Sequence, residues 1–248
     1  MLLEICANSV ESALAAQNGG ADRVELCDNL FEGGTTPSFG AIFQARKLLS
    51  INLHVIIRPR GGDFFYNSNE KEILKHDIKE CKNQGVDGVV FGILKPDGNI
   101  DKDYCSQLIE LAYPMKTTFH RAFDMVKNPY ECLEDIITAG FDILLTSGLQ
   151  NKAELGTELI ADLIDKSKNR IAIMPGSGIN ENNILEIAKK TNASNFHVSL
   201  RKTIESRMIF RNNTIKMGGI QDISEYSISV TDENRVKNIR KIINEYYS

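Results

Sequence analysis

The sequence predicts an α/β protein folded as a (β/α)8 TIM barrel with a C-terminal arm and a closing helix. Eight short, mostly apolar segments alternate with helical segments over about 200 residues. The apolar segments are continuous rather than alternating, which is typical of parallel strands covered by helices. No stretch rich in proline and serine divides the chain. Together these observations favour a closed barrel.

The elements follow one another in a regular order. The predicted strands span residues 2–6, 23–27, 53–58, 88–91, 117–120, 142–146, 171–174 and 195–199. The predicted helices between them span residues 9–18, 37 or 38–49, 70–84, 101–112, 129–139, 151–168 and 181–190. An open doubly wound sheet is the alternative, but it usually has fewer strands and a nucleotide-type glycine loop after the first strand. That loop is missing from this sequence.

Local signals justify the ends of these elements. Ser9 is a typical N-cap, and Pro129 stands at a position that suits the first turn of a helix. Gly20, Gly85 and Gly140 each precede by two residues an aspartate that begins a strand. Glycine supplies the left-handed backbone with which many helices end.

The whole chain, 1–248, is predicted to form one domain, with the barrel in about 1–200 and the arm and closing helix in about 201–248. Residues 201–225 show no clean period, and residues 232–247 form the predicted closing helix. An arm of this kind either covers one end of the barrel or clasps a second subunit.

Composition narrows the class of partner. The net charge of −4 over 248 residues argues against nucleic acid or an anionic membrane as a partner. No apolar run approaches the roughly 20 residues that a membrane span requires, and the N-terminus lacks the pattern of a signal peptide. Five scattered cysteines indicate reduced thiols, so a cytoplasmic location is expected.

Chemistry-bearing residues concentrate near the C-terminal ends of the predicted strands, where barrel proteins place their sites. Period-2 alternation gives several strands a polar face: Glu4 with Cys6, Glu25 with Cys27, His54 with Arg58 and Arg60, Thr118 with His120, and His197 with Ser199. These faces indicate either a functional site or an internal salt-bridge network.

The two thiols of Cys6 and Cys27 end adjacent strands. Thiolates on neighbouring strands lie about 5 Å apart and suit a soft ion such as Cu(I). The alternative is structural, since free cysteine is often a small buried hydrophobe. The sequence indicates no organic cofactor.

A second hypothesis is an enzyme, a lyase or isomerase that acts on a small anionic or phosphorylated metabolite. Glu25 and His120 are its candidates for proton transfer, with Glu4 as the alternative to Glu25. Arg58 and Arg60, with the loop Gly176, Ser177 and Gly178, are its candidates for anion binding, because barrels often hold phosphate near strands 7 and 8. A tight turn that needs glycine for backbone reasons is the alternative for the loop.

Motifs along nearly the whole chain resemble the CutC copper homeostasis family: ANSVESALAAQNGGADRVELC, EGGTTPS, IRPRGGDF, DGVVFG, TFHRAFD, LTSG, MPGSGIN, HVSLRK and KMGG. The resemblance implies a cytoplasmic TIM barrel, commonly a homo-oligomer (a dimer or tetramer), that is assigned to copper tolerance or trafficking. It also implies that the family's proposed Cu(I) thiols correspond to Cys6 and Cys27.

Overall fold

The computed structural model describes residues 1–217 and 224–247 and contains an eight-stranded parallel sheet that closes into a barrel. Its strands are β1 (Leu2–Ala7), β2 (Arg23–Leu26), β3 (Asn52–Ile56), β4 (Gly88–Phe91), β5 (Lys116–Phe119), β6 (Ile143–Thr146), β7 (Ala172–Pro175) and β8 (Asn195–Val198). The helices that follow the first seven strands are α1 (Val10–Asn18), α2 (Phe39–Leu48), α3 (Ser68–Asn83), α4 (Lys102–Ala112), α5 (Pro129–Ala139), α6 (Thr157–Ser167) and α7 (Ile184–Thr191).

Neighbouring strands pair in chain order, and the ring closes because β1 pairs with both β2 and β8. A parallel bridge between Gly176 and His197 joins β7 to β8. The predicted (β/α)8 barrel is therefore confirmed, and the predicted strands differ from the observed ones by only one or two residues at their ends.

The barrel strands separate two buried regions. Leu3, Ile5 and their counterparts on other strands point outward and pack under the helices in the main core. Inside the barrel, a smaller apolar cluster of Ile143, Leu145 and Met174 fills the β6–β7 side. The β8, β1 and β2 side of the lumen carries charged and thiol side chains instead, as described below.

Side-chain caps explain where several helices begin. The Ser9 hydroxyl accepts a hydrogen bond from the backbone of Ser12 at the start of α1, as predicted. Asn67 and Glu70 form a reciprocal capping box at the start of α3, so this helix begins earlier than the predicted residue 70. Pro129 occupies the first turn of α5, and Gly140 ends that helix with φ of 101°.

The arm contains regular structure that the sequence did not predict. Strands β9 (Arg201–Glu205) and β10 (Ser227–Thr231) pair antiparallel, and α8 (Glu233–Tyr247) is the predicted closing helix. Val236, Ile239 and Ile243 of α8 join the main core. Residues 218–223 of the arm, including the second half of the KMGG motif, lie outside the described residues. Among the helices that the structure describes, none has the length and apolar character to cross a bilayer.

Candidate functional site

The inward faces of β8, β1 and β2 bring together the polar side chains of the lumen. Strand register places Glu4 beside both Arg23 and His197, and Cys6 beside Glu25. Because side chains alternate along a strand, these residues share the inner surface while their neighbours pack under the helices. The polar face that the alternation predicts on β1 and β2 is therefore the lumen wall.

Glu4 is the centre of a buried charge network. Its carboxylate is fully buried, forms an ion pair with Arg23 and lies 2.7 Å from His197 Nδ1. Burial opposes ionisation of Glu4, but the Arg23 guanidinium and His197 outweigh that effect and hold the pKa of Glu4 well below its usual range. Glu4 is therefore a permanent negative charge inside the barrel.

Glu25 lies in the same lumen but behaves differently. Its Oε2 atom is 3.9 Å from His197 Nδ1 and has no hydrogen-bond partner in the described part of the chain. Burial raises the pKa of Glu25 to about 7, and the nearby Glu4 charge contributes to the rise. For His197, the acidic neighbours, led by Glu25, outweigh burial and raise the pKa well above its ordinary value.

The thiols of Cys6 and Cys27 face each other at the upper end of this cluster. Their sulfur atoms are 3.4 Å apart, and both side chains are buried and free of disulfide bonding. The Cys27 sulfur also lies 3.4 Å from the carbonyl oxygen of Ala7. The hydrogen bond between the thiols, together with burial, raises the pKa of Cys6 well above its ordinary value.

These groups form a set of potential metal ligands. One ligand atom each from Cys6, Glu25 and His197 lies within 4.8 Å of the others, with the Cys27 sulfur next to Cys6. Thiolates favour soft ions such as Cu(I), and imidazole also suits copper. The structure thus brings the two predicted thiols together and places two further potential ligands, Glu25 and His197, beside them. Of these two, the sequence linked only Glu25 to the thiols, through the strand face that it shares with Cys27.

The sequence predicts polar faces that contain Glu4 and His197, but it does not predict that these two residues meet. Alternation placed both on inward faces, but the contact between them joins residues 193 positions apart. Only closure of the ring between β1 and β8 creates that contact. The predicted closure of eight strands is the one signal in the sequence from which their proximity could have been inferred.

Arg58 lies at the end of β3 and contacts loop backbone. Its Nη atoms donate to the carbonyl oxygens of Glu32 (2.6 Å), Gly34 (2.8 Å) and Gly62 (2.7 Å). Since three of its five N–H groups hold loops in place, Arg58 has a structural role whatever else it binds.

Arg60 forms ion pairs with two acidic residues. Its Nε atom donates to Glu70 at 2.6 Å, and an Nη atom lies 3.0 Å from an oxygen of Asp63. Arg60 therefore fixes the loop before α3.

The loop of Gly176, Ser177 and Gly178 is far from both arginines. It follows β7, which is four strands away from β3 around the ring and thus on the opposite side of the barrel. Ser177 adopts φ of 82°, and its hydroxyl donates to the Asn151 carbonyl oxygen at 2.8 Å. The structure does not bring the five predicted anion-binding residues into one site.

His120 ends β5 and is not joined to Glu25 by any contact among the described residues. Its Nδ1 accepts a hydrogen bond from Ala122 N at 3.3 Å, which begins the 3-10 helix Arg121–Met125. Burial, and then the charge of Arg58, lower the pKa of His120 to about 3. The predicted proton-transfer pair of Glu25 and His120 therefore remains a prediction.

Comparisons with known proteins identify relatives of this chain. The model of the CutC family matches residues 1–202. The copper homeostasis protein cutC homolog of Homo sapiens is 48% identical over 241 residues, covering 97% of this chain and 88% of the relative. A CutC family protein of Bacteroides fragilis is 50% identical over 237 residues, covering 95% and 94%.

A solved structure extends the likeness to three dimensions. The CutC structure from Streptococcus agalactiae is 33% identical, with a TM-score of 0.77, and covers 80% of this chain and 98% of its own. The resemblance read from the sequence motifs is confirmed by family model, relatives and structure together. The chain belongs to the CutC family.

Proposed function

We propose that this protein binds Cu(I) through the thiolates of Cys6 and Cys27 as part of copper homeostasis. The observation that carries the proposal is the distance of 3.4 Å between the two sulfur atoms. Metal–thiolate bonds are about 2.3 Å long in zinc sites, and with bonds of that order one ion reaches both sulfurs. The names of the relatives from Homo sapiens and Mus musculus support a role in copper homeostasis.

The surrounding residues suit such an ion. Two thiolates and one Cu(I) carry a net charge of −1, and Arg23 and His197 provide positive charge in the same part of the lumen. Both thiols are at least nine-tenths buried, so water and other ligands have little access to a bound ion. Glu25, whose pKa is about 7, lies within reach as a further ligand or as an acceptor for a thiol proton.

The test is an anaerobic Cu(I) titration against a competing chelator, with wild type and the double variant Cys6→Ser/Cys27→Ser. Wild type is expected to bind one Cu(I) tightly, and the double variant is expected to lose that binding. Serine can replace the Cys27 contact with the Ala7 carbonyl, so the fold is expected to persist.

Cys105→Ala/Cys132→Ala is the matched control, because these two cysteines are equally buried but lie on α4 and α5 outside the barrel. It is expected to bind Cu(I) as wild type does. Equal binding by the wild type and by Cys6→Ser/Cys27→Ser would disprove the proposal.

A cytoplasmic location is part of the same proposal, because copper binding through thiols requires that they stay reduced. All five cysteines are free in the structure, which supports it. Copper binding takes precedence over the enzyme hypothesis because the thiols converge, whereas the predicted anion-binding residues do not. A lyase or isomerase activity stays a prediction.

A further inference from the structure

Several polar atoms in the lumen lack hydrogen-bond partners within the described residues. Among them are Thr118 Oγ1, His120 Nε2 and Arg58 Nε, which belong to residues on β5 or just after the ends of β5 and β3. Buried polar groups are normally paired, because an unpaired one loses its hydrogen bonds to water without replacement. Three such atoms in one part of a lumen point to a ligand that pairs with them.

His120 presents a hydrogen-bond donor. Because its Nδ1 accepts from Ala122 N, the proton of the neutral ring resides on Nε2. The side chain is only 4% exposed, and the low pKa of the ring keeps it neutral throughout the physiological range. An N–H donor is thus held in the barrel with no acceptor among the residues described.

Arg58 presents a second donor close to the first. Its Nη atoms are fixed by loop carbonyls, while its Nε–H is unpaired and its side chain is buried. The half-buried ring of Phe64 contacts both residues: its centroid is 5.0 Å from Arg58 Cζ and 4.9 Å from the centre of the His120 ring. The two donors therefore flank one aromatic ring at the mouth of the barrel.

Gly92, which directly follows β4 between β3 and β5, allows the His120 ring to lie against the backbone: a Cβ there would lie 2.7 Å from His120 Nδ1. Two residues before His120, Thr118 faces the same lumen with an unpaired hydroxyl. The region offers one cationic N–H, one neutral N–H and one hydroxyl.

We propose that this region binds the carboxylate group of a small organic acid, whose oxygens accept hydrogen bonds from Arg58 Nε, His120 Nε2 and Thr118 Oγ1. A carboxylate carries one negative charge, which balances the one positive charge of Arg58. Its oxygens accept the hydrogen bonds that the three groups donate. A doubly charged phosphate would call for more positive charge. The site shares no residue with the thiol cluster and does not depend on copper binding.

The test is a titration of the protein with acetate, pyruvate and succinate, and in parallel with inorganic phosphate and sulfate, followed through the ¹⁵N resonances of the histidine rings. The carboxylates are expected to shift His120 Nε2 saturably. Thr118→Val and His120→Asn are each expected to weaken binding about tenfold. Asparagine keeps an acceptor for Ala122 N, so the turn after β5 is retained.

Thr118→Val is expected to fold as wild type does, because it removes an unpaired hydroxyl without changing the shape of the side chain. Its unfolding midpoint is expected to be no lower than that of wild type. Cys6→Ser/Cys27→Ser is expected to bind carboxylates normally even if it loses copper, which separates this proposal from the one above. Absence of saturable carboxylate binding, wild-type affinity in both lumen variants, or tighter binding of phosphate would overturn the proposal.

Discussion

Glu4 and Glu25 are two carboxylates in one lumen with opposite electrostatic surroundings. Glu4 has an arginine and a histidine as direct partners, whereas one oxygen of Glu25 has no partner among the described residues. Their pKa values move apart for that reason, with Glu4 lowered and Glu25 raised to about 7. Two buried glutamates on neighbouring strands thus differ in charge near neutral pH.

This contrast predicts unequal effects of the same substitution. Glu4→Gln removes the only acidic partner of Arg23 among the described residues and leaves a buried positive charge, so we expect a loss of about 3–5 kcal/mol in the free energy of unfolding. Glu25→Gln replaces a carboxyl that is partly protonated at pH 7, and we expect a loss below about 1 kcal/mol. Urea unfolding at pH 7 measures both, and equal losses would contradict the charge assignment.

His54 predicts how stability depends on pH. Burial, followed by the charge of Arg23, lowers the pKa of His54 from 6.5 to about 4 in the folded state. Between pH 6.5 and about 4 the unfolded chain therefore binds a proton that the folded protein does not, and stability falls as the pH falls. At the steepest point the contribution is about 1.4 kcal/mol per pH unit.

Replacing His54 tests whether its titration causes the dependence of stability on pH. His54→Gln is expected to reduce the loss of stability between pH 6.5 and 4, as measured by urea unfolding at a series of pH values. His76→Gln, on the exposed face of α3, is the control and is expected to keep the wild-type pH dependence. If both variants lose stability on acidification as wild type does, His54 does not carry the effect.

At the level of elements, one glycine at the start of β4 and one just after its end make room for two histidines. Added Cβ atoms on Gly88 and Gly92 would collide with the rings of His54 and His120, respectively. We expect Gly88→Ala and Gly92→Ala each to cost about 1–3 kcal/mol, since a packed interior must shift to accept the methyl group. Chemical denaturation measures the loss.

Gly40→Ala provides the matched control on α2. No atom lies within 4 Å of an added Cβ at that position, and alanine favours a helix over glycine by up to about 1 kcal/mol. We therefore expect this variant to be at least as stable as wild type. A similar loss in all three variants would show that packing against the histidines is not the cause.

The sequence predicts the secondary-structure elements better than it predicts the contacts between them. Alternation along β1 and β2 predicts the inward set of Glu4, Cys6, Glu25 and Cys27, because a period of two is local to each strand. The partners of Arg58 are backbone carbonyl oxygens of loops. Because every residue has such an oxygen, residue types do not predict these contacts. The hairpin of β9 and β10 was missed because its pairing spans a segment without a regular pattern.

At the level of the whole molecule, the arm is the most exposed part of the described chain. Its base is held at the turn between β1 and α1, where Asn8 Nδ2 donates to the Ser229 carbonyl oxygen at 3.2 Å. Beyond that base, Ile209 and Phe210 are 101% and 77% exposed. Residues 201–217 carry five basic side chains and one acidic one, whereas the chain as a whole has 29 basic and 33 acidic residues.

We therefore expect the predicted homo-oligomer to form through this arm, which is basic and apolar, against the acidic body of a second copy. Ile209→Ser/Phe210→Ser is expected to shift the mass measured by light scattering towards the monomer. Ile73→Ser, at an exposed position of α3, is the control and is expected to leave the mass unchanged. A wild-type protein that is monomeric at every concentration would contradict this expectation.

Closure of the barrel by the pairing of β1 with β8 has a consequence for folding during synthesis on the ribosome. Cys6 and Cys27 emerge early, but His197, which bonds to Glu4 across 193 positions, emerges only when the eighth strand does. Until then Glu4 and Arg23 lack this partner, and the two thiols stand on strands whose ring is still open. A nascent chain therefore carries both thiols long before it has the enclosed chamber that shields them, so the last strand to be translated completes the site as well as the barrel.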